Sequence, residues 1–436
     1  MSAAPRLSRR NLLAGGLGAT ALTALTGCGG GRASSAATTL NVWGGVPAES
    51  GPADVIAAFE EAYPEYTVNY TRFINDDRGN LKLDTALQGG VDIDVYITYP
   101  MKSLALRSGS GMGLDLTDRV ETEPGFEPFL DTETPKAYWQ DGRITALATA
   151  RSRALILLNT AHLDAAGLEV PTEWTVEEFV AMSRELTTGE RFGCYRLPDL
   201  PRLELGPNYW YTDSGDSNLS HPAFLEHMQL SRTMIDEGVL FPWTEVLARQ
   251  LEVFQQNGFV AEEFSLWATE PYSLRYLYDP EEYPHDFTVA AAPMPTVGPD
   301  SWNGGPFGDF MMINPKSTKQ DLAWEFIRFY IKEGPPYLAP GGRIPTLENV
   351  DDETVLTGLL GEDADEWFDV DSFRRVFFED ETELYVDTNL TAYPEIDLAY
   401  QQQRDVCWLG ERSPQAAIDS IDSQAQAAID RFGEQS

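Results

Sequence analysis

The sequence predicts an α/β fold, and three patterns at the start of the folded body indicate it. Residues 39–44 alternate apolar and polar side chains, which is typical of a strand, and the glycines that follow end it. Residues 55–62 repeat apolar side chains at helical spacing, and residues 66–70 alternate again. Two strands joined by a helical crossover predict a parallel β-α-β unit. In such sheets ligands bind beyond the carboxyl ends of the strands.

The rest of the chain continues this alternation of strands and helices. Residues 92–97 predict a third strand. Residues 154–159 predict a strand buried on both faces, because every residue before Asn159 is apolar. Gly258 is expected to end a helix that begins at Val246. Further strands are predicted over residues 259–267 and 287–291. Helices are predicted, in order, over residues 81–87, 176–186, 222–237, 246–257, 323–332 and 414–432.

The first 28 residues have the pattern of an export signal that ends in a lipid attachment site. Residues 8–13 read Ser-Arg-Arg-Asn-Leu-Leu, a twin-arginine motif, and an apolar stretch leads to Leu-Thr-Gly-Cys at Cys28. We expect a twin-arginine (Tat) signal peptide over residues 1–27, lipidation of Cys28, and a flexible tether over residues 28–38. A transmembrane anchor is the alternative, but the apolar stretch is short and rich in glycine and alanine.

The charge of the chain limits its partners. Lys and Arg total 31 while Asp and Glu total 69, so the net charge is −38. Nucleic acids and anionic membrane surfaces are excluded as partners of such an acidic surface, so membrane attachment would depend on the lipid. We interpret the acidity as a solubility feature, and we expect a monomer on the outer face of the cell membrane.

The cysteines and histidines give no sign of a metal or cofactor site. Beyond the lipid position the chain has Cys194 and Cys407, and an oxidising compartment permits a disulfide between them. Two buried free thiols are the alternative. The four histidines have no metal-ligand spacing with these cysteines, so we expect neither metal nor cofactor.

Six groups of short motifs follow one another in a fixed order along the chain. They are Leu-Asn-Val-Trp-Gly-Gly at 40–45 with 56–64, Asp-Val-Tyr at 94–96, Gly-Arg-Ile-Thr-Ala-Leu at 142–147, the segments within 157–179, Gly-Pro-Phe-Gly at 305–308 with 323–327, and Ser-Pro-Gln-Ala-Ala-Ile at 413–418. In this order they resemble the extracellular solute-binding proteins of ABC importers, in the branch of the maltose- and maltodextrin-binding proteins. Residues 194–219 and 348–391 match this family poorly.

The resemblance implies a two-lobed periplasmic-binding-protein-like fold of type II. Each lobe would be a sheet flanked by helices, with a hinge between the lobes and the ligand in the cleft. The boundaries carried over are residues 39–149 plus 304–345 for lobe 1, and 150–303 plus 346–436 for lobe 2. The resemblance also implies that the chain is no enzyme, and that it binds a mono- or oligosaccharide and delivers it to ABC permease subunits in the membrane.

Candidate ligand-binding residues follow from the chemistry of sugars, which present apolar ring faces and hydroxyl edges to aromatic and short polar side chains. A single aromatic residue lies in the hydrophobic core more often than it stacks on a ligand. We therefore choose candidates by their position along the predicted strands and loops. Because residues 209–211 are three consecutive aromatics in an irregular loop, at least one is expected to be exposed or to face the ligand. The candidates are Trp43, Gly44, Gly45, Thr98, Tyr99, Arg151, Arg153, Tyr209, Trp210, Trp267, Gly304, Gly305, Arg343, Tyr393 and Glu395.

Three of these candidates raise the question of ligand charge. Arg151 and Arg153 stand where maltose binders carry an acid before the crossing strand, and Arg343 is expected in another loop at the cleft. Arginines gathered there could bind a carboxylate or phosphate of a uronate or sugar phosphate. The alternative is that each arginine pairs with a nearby acid, since acids are plentiful in this chain.

Two other classes of function stay open at the sequence level. One is a secreted glycan-active enzyme, which would need paired carboxylates, although no nucleophile elbow, zincin motif or phosphate-binding loop is present. The other is a lipid-tethered sensor domain that passes its ligand to a signalling partner. Adjacent permease genes would favour import, and turnover of glycans would favour the enzyme.

Overall fold

The computed structural model describes residues 36–132, 136–251, 256–278, 281–303 and 307–435. The predicted signal peptide, the lipidation site Cys28, most of the tether, and the candidates Gly304 and Gly305 lie outside these described residues. Within them, no helix is both long and apolar enough to cross a bilayer.

The first sheet has seven strands and is mixed. The strands are β1 Thr39–Gly44, β2 Thr67–Arg72, β3 Val95–Thr98, β4 Ala137–Gln140, β5 Arg143–Arg151, β10 Phe307–Ile313 and β11 Ile344–Pro345. The order is β11-β5-β10-β3-β1-β2, with β4 paired to β5. Strand β1 lies parallel to β2 and β3, which confirms the predicted β-α-β unit, while β10 lies antiparallel to β3 and β5.

The second sheet has four strands in the order β7-β8-β6-β9. Its centre is β6, which is buried along its whole length, as its uninterrupted apolar sequence predicted. The strands are β6 Leu155–Asn159, β7 Phe192–Cys194, β8 Phe264–Thr269 and β9 Val289–Pro293. Apart from the last two residues of β5, the strands of each sheet come from the parts of the chain assigned above to one lobe, and the lobe boundaries themselves stay a prediction.

Helices flank both sheets. The helix predicted over residues 176–186 has these bounds in the structure. Thr175 and Glu178 form a reciprocal capping box at its start. The helices are α1 Pro52–Ala62, α2 Asp77–Gln88, α3 Met101–Gly109, α4 Thr117–Thr122, α5 Thr160–Ala166, α6 Val176–Leu186, α7 Leu200–Leu205, α8 Pro222–Asp236, α9 Trp243–Arg249, α10 Gln256–Val260, α11 Leu274–Leu277, α12 Gln320–Lys332, α13 Pro335–Leu338, α14 Asp352–Leu360, α15 Ala364–Trp367, α16 Val370–Arg374, α17 Tyr393–Trp408 and α18 Pro414–Gln435.

Three clusters of buried apolar side chains form the core. One lies between the first sheet and α1 and α12, where Phe59 and Phe326 meet edge to face. A second lies between the second sheet and α6, around Phe179. The third includes side chains from both sheets, such as Met312 and Leu157, together with α17 and α18. The two sheets therefore share part of their core.

Several predicted bounds differ from the structure by two to four residues, and two predicted elements depart further. The helix predicted over 246–257 ends at Arg249, where Gln250 adopts a left-handed conformation with φ 55°. Gly258 lies inside α10 instead of ending a helix, and a Cβ at this position would lie 2.8 Å from the Phe264 ring. The strand predicted over 259–267 begins at Phe264, since periodicity alone cannot separate a short buried helix from a strand.

The two cysteines of the folded body are free and buried. Cys194 lies in β7 and Cys407 in α17. Burial raises the pKa of Cys194 to about 12. The structure therefore holds these residues as the two buried thiols of the second alternative above.

Candidate ligand site

One edge of the first sheet gathers the ends of five strands. The register pairs Arg151, the last residue of β5, with Phe307 at the start of β10 and with Ile344 at the start of β11. It also pairs Thr98, the last residue of β3, with Phe310. The residues that follow β1 and β3 therefore lie at the same edge of the sheet as the first residues of β10 and β11.

One edge of the second sheet faces this edge of the first. Leu155, the first residue of β6, pairs with Thr269 at the end of β8 and with Pro293 at the end of β9. Only residues 152–154 separate β5 from β6, so the two edges lie close together. We call the region where these edges meet the junction.

Polar and backbone contacts cross the junction. The Ser152 hydroxyl lies 3.0 Å from a carboxylate oxygen of Glu270, which follows β8. Gly342, just before β11, has φ 78° and packs so closely on the loop after β8 that a Cβ would lie 2.5 Å from the Tyr272 Cα. The Tyr278 hydroxyl donates to the Pro340 carbonyl at 3.1 Å. These contacts hold the loop after β8 against the segment that precedes β11.

A buried ion pair lies at the junction. Arg343 donates from Nε to the Asp309 carboxylate at 2.7 Å, with side chains 11% and 16% exposed. Burial is the largest single influence on the pKa of Arg343 and lowers it, but the charge and hydrogen bond of Asp309 together with Tyr99 and Tyr330 raise it above its usual value, so the guanidinium stays charged. Asp309 has φ 51° inside β10, a conformation that costs energy and is often found at functional sites.

Two tyrosines cover the end of β1. The Gly45 N–H donates to the Tyr99 hydroxyl at 2.6 Å, and the Tyr70 hydroxyl donates to the Val46 carbonyl at 2.8 Å. Burial is the main reason that the pKa values of both tyrosines are raised. A Cβ on Gly44 would lie 2.4 Å from the Tyr70 hydroxyl, so Tyr70 occupies the space beside this predicted site glycine.

Glu270 is the second carboxylate at the junction. Burial raises its pKa, and the hydrogen bond with Ser152 lowers it by less. Asp309 adds to the upward shift of this pKa and Arg343 opposes it, which shows that the two acids and the arginine share one electrostatic environment.

The aromatic loop at residues 209–211 is buried, so none of its rings is exposed, and the alternative that one of them faces the ligand stays a prediction. Tyr209, Trp210 and Tyr211 are 7%, 3% and 7% exposed, and all three join the core cluster that both sheets share. Trp210 stacks on Tyr393, with 4.4 Å between ring centroids. The structure therefore brings three candidates, Tyr209, Trp210 and Tyr393, into one group, while their contact with a ligand stays a prediction.

An internal ion pair explains how the aromatic loop folds inward. Arg202 donates two hydrogen bonds to Asp387, at 2.7 and 2.9 Å, and its guanidinium lies 3.7 Å from the Tyr209 ring centroid. Asp387 also accepts from the Asn208 N–H at 2.7 Å. The loop is therefore attached to the segment before α17 by charge and by stacking.

The remaining candidates are dispersed. Thr98 points into the core, where it accepts a hydrogen bond from Arg107 at 2.9 Å. Trp267 is only 1% exposed. Trp43 is half-buried beneath the Lys82 ammonium, 5.5 Å from its ring centroid, and Glu395 is exposed.

Arg151 and Arg153 line a small cavity of ≈ 360 Å³ beside the junction. Arg153 donates to Asp380 and to the Thr382 carbonyl, both at 3.0 Å. Arg151 lies 3.8 Å from Glu348, and burial lowers its pKa. These pairs support the second alternative above, in which the arginines bind acids of this chain.

A larger cavity of ≈ 740 Å³ includes Pro293 at the end of β9 and shares Asp380 with the smaller one, but none of the candidates lines it. It lies between residues 171–178 and 375–382, and most of its charged lining is acidic. We place the candidate site at the junction, because size alone does not define a site and the strand ends meet there. In the described part of the chain, no group of His, Cys, Asp and Glu side chains could hold a metal ion.

Sequence reasoning missed Asp309 and Glu270. The sequence around each of them could have identified it. Asp309 is a carboxylate inside the apolar run Phe-Gly-Asp-Phe-Met-Met-Ile, and Glu270 directly follows a buried strand. Arg202 and Asp387 were also missed. They left no local signal, because 185 residues separate them in the chain.

A two-sheet α/β chain whose strand ends meet at a polar junction has the architecture of a solute-binding protein. Residues 45–335 match the family model described as bacterial extracellular solute-binding protein, and the chain belongs to that family. This class of protein is not enzymatic, in agreement with the prediction made above.

Known proteins resemble the chain in sequence and in fold. A binding protein of Brucella abortus (strain 2308) is 25% identical over 308 residues, which is 66% of this chain and 70% of the relative. The ABC substrate-binding protein Lmo0181 of Listeria monocytogenes, solved with cycloalternan, has a TM-score of 0.72 at 16% identity and covers 91% of this chain and 98% of its own. A solute-binding protein of Thermotoga lettingae TMO, bound with α-D-tagatose, has a TM-score of 0.70 at 20% identity, covering 91% and 100%. These two structures confirm the predicted fold class.

Proposed function

We propose that the chain is the substrate-binding component of an ABC importer and that it captures a carbohydrate at the junction between its two lobes. Membership of the solute-binding family supports binding without chemistry. The observation that carries the proposal is the meeting of five strand ends of one sheet with three strand ends of the other. Similar folds from Listeria and Thermotoga were solved with cycloalternan and tagatose, which supports a carbohydrate ligand.

The hinge of this proposal is formed by the segments that pass between the sheets. Three such segments are residues 152–154, 294–303 and 346–351, each of which follows a strand of one sheet and precedes elements associated with the other. Closure of two lobes around a ligand is a hinge motion in which a few such residues change their backbone angles. The lobe boundaries given above are part of this proposal.

Attachment to the membrane is proposed from the sequence. The lipobox at Cys28 would hold the protein at the outer face of the cell membrane, and residues 28–38 would give the folded body reach towards the permease. Mass spectrometry of the exported protein would test this: a diacylglycerol on Cys28 supports it, and an unmodified cysteine contradicts it.

Binding is best tested by thermal-shift screening against a panel of neutral sugars, followed by calorimetry. A ligand that binds the native state raises the melting temperature by mass action. If no sugar raises it, the proposed function is wrong.

Two tryptophans of the buried core make the test specific to the site. The indole N–H groups of Trp210 and Trp267 are buried and have no hydrogen-bond partner in the described part of the chain. If each donates to the sugar, Trp210→Phe and Trp267→Phe weaken binding about three- to tenfold, the loss expected for one hydrogen bond. Trp324→Phe is the matched control, because Trp324 is equally buried but packs in the outer cluster with α12. Equal losses in all three variants would contradict the assignment.

A further inference from the structure

One ion pair joins a helix of predicted lobe 1 to a helix of predicted lobe 2, away from the segments that cross between the sheets. The Lys102 ammonium on α3 lies 3.6 Å from a carboxylate oxygen of Asp397 on α17. It also donates a hydrogen bond of 2.8 Å to Asp77, at the start of α2. Lys102 therefore lies between two acids, one from each predicted lobe.

Each of the two helices is attached to its own lobe. Arg107 on α3 is fully buried and donates to the Thr98 hydroxyl of β3 at 2.9 Å. On the other side, Arg232 of α8 donates to the Trp408 carbonyl at the end of α17, at 2.8 Å. Met234 of the same helix α8 packs in the core cluster of the second sheet. The separation of the ion pair therefore follows the separation of the lobes.

The ion pair lies away from the proposed hinge. The crossing segments adjoin β5, β10 and β11 of the first sheet, whereas α3 follows β3 and α2 follows β2, at the opposite edge of the sheet from β11. Neighbouring strands are about 4.8 Å apart, so β3 lies about 10 Å from β5 and β2 lies about 20 Å from it. A rotation about the crossing segments therefore separates α3 from α17 more than it separates residues at the hinge.

The ion pair is partly sheltered from water. The side chains of Lys102 and Asp397 are 30% and 20% exposed. Burial is the main influence on the pKa of Asp397 and raises it, and Lys102 opposes that shift most strongly, followed by Gln401 and Arg404. Burial lowers the pKa of Lys102, but Asp77 and Asp397 together raise it above its usual value. The charged ammonium therefore offsets part of the cost of burying the Asp397 carboxylate between the lobes.

We propose that Lys102 is a latch that holds the two lobes together through its ion pair with Asp397. The proposal rests on the hinge of the function proposed above and does not depend on which ligand binds. Without the ammonium, the Asp397 carboxylate is better hydrated when the lobes are apart, so the separated arrangement gains population. A latch of this kind also raises the apparent affinity for any ligand that both lobes contact, because the arrangement that binds it is populated more often.

Pulsed electron resonance between the lobes tests the latch without any ligand. Spin labels are placed on cysteines at Glu121 of α4 and Glu185 of α6, one exposed residue on each predicted lobe, in a chain whose Cys28 is replaced by serine. Lys102→Met keeps the apolar stem of the side chain and removes its charge. We expect the ratio of the short-distance to the long-distance population to fall about fivefold or more, since the pair is partly buried. An unchanged distance distribution in the folded variant overturns the proposal.

Two further variants separate the ion pair from general damage. Lys102→Met combined with Asp397→Leu removes both charges and should restore the distances of the original chain, because no buried carboxylate then remains. Arg249→Met is the matched control, because its pair with Glu263 is 37% and 31% exposed and lies within predicted lobe 2. It should leave the distances unchanged. A double variant as open as Lys102→Met, or an equal opening in Arg249→Met, overturns the proposal. If Lys102→Met fails to fold, Lys102→Gln replaces it.

The latch and the proposed function fail separately. If Lys102→Met separates the labels but no sugar in the thermal-shift screen binds, the latch stands and the proposed function is wrong. If a sugar binds and Lys102→Met leaves the distances unchanged, the proposed function stands and the latch is overturned.

Discussion

Replacing Arg202 with alanine is predicted to destabilise the protein by about 3–5 kcal/mol, the usual cost of leaving one partner of a buried ion pair alone. The Arg202 and Asp387 side chains are 8% and 2% exposed, so water cannot compensate the remaining carboxylate. The loss includes two charge-assisted hydrogen bonds and stacking of the guanidinium on Tyr209 and Tyr385, at 3.7 and 4.0 Å.

Urea denaturation measures this cost, with two comparisons that separate charge burial from general damage. Arg184→Ala removes an arginine whose pair with Glu237 is 47% and 41% exposed, so it should cost at most about 1 kcal/mol. Arg202→Met with Asp387→Leu removes both buried charges together and should cost less than Arg202→Ala alone. The reasoning is refuted if Arg202→Ala costs no more than Arg184→Ala, or if the double variant is the least stable.

Two further predictions concern the junction and the pH dependence of stability. Gly45→Ala should lower the free energy of unfolding by about 1–3 kcal/mol, because its Cβ would lie 2.9 Å from the Tyr99 ring. Thermal or urea unfolding measures this loss, and an unchanged melting temperature would contradict the close packing described. Burial lowers the pKa of His162 below its ordinary value of 6.5, more than the hydrogen bond with Glu262 raises it. The folded state therefore resists protonation, so the contribution of His162 to stability is complete above pH 6.5 and is lost as pH falls below it. His162→Gln should flatten the curve of unfolding free energy against pH in that range, and a curve as steep as that of the original chain would show the assignment to be wrong.

Local sequence patterns predicted most of the fold because the spacing of apolar residues depends directly on which residues are buried. β6 was predicted because residues 154–158 are all apolar, and α6 because apolar side chains recur at helical spacing over residues 176–186. The helix predicted over 246–257 failed where a left-handed Gln250 ends it, a feature that the apolar spacing does not record.

The site was predicted less well because it depends on pairs that are distant in the sequence. The expectation that ligands bind beyond the ends of the strands placed Gly45, Tyr99 and Arg343 near the junction, and the structure has them there. It could not show that the arginine is neutralised by Asp309, 34 residues away, or that an ion pair draws the aromatic loop into the core.

The central claim is that two lobes close on a carbohydrate without altering it, and a distance measured between the lobes tests it most directly. Glu121 on α4 and Glu185 on α6 are exposed and belong to the predicted lobes 1 and 2. Spin labels on cysteines at these positions, in a chain whose Cys28 is replaced by serine, report the separation by pulsed electron resonance. We predict a shorter distance when a sugar from the screen is saturating, with the sugar recovered intact. An unchanged distance at saturation, or a cleaved sugar, would contradict the account.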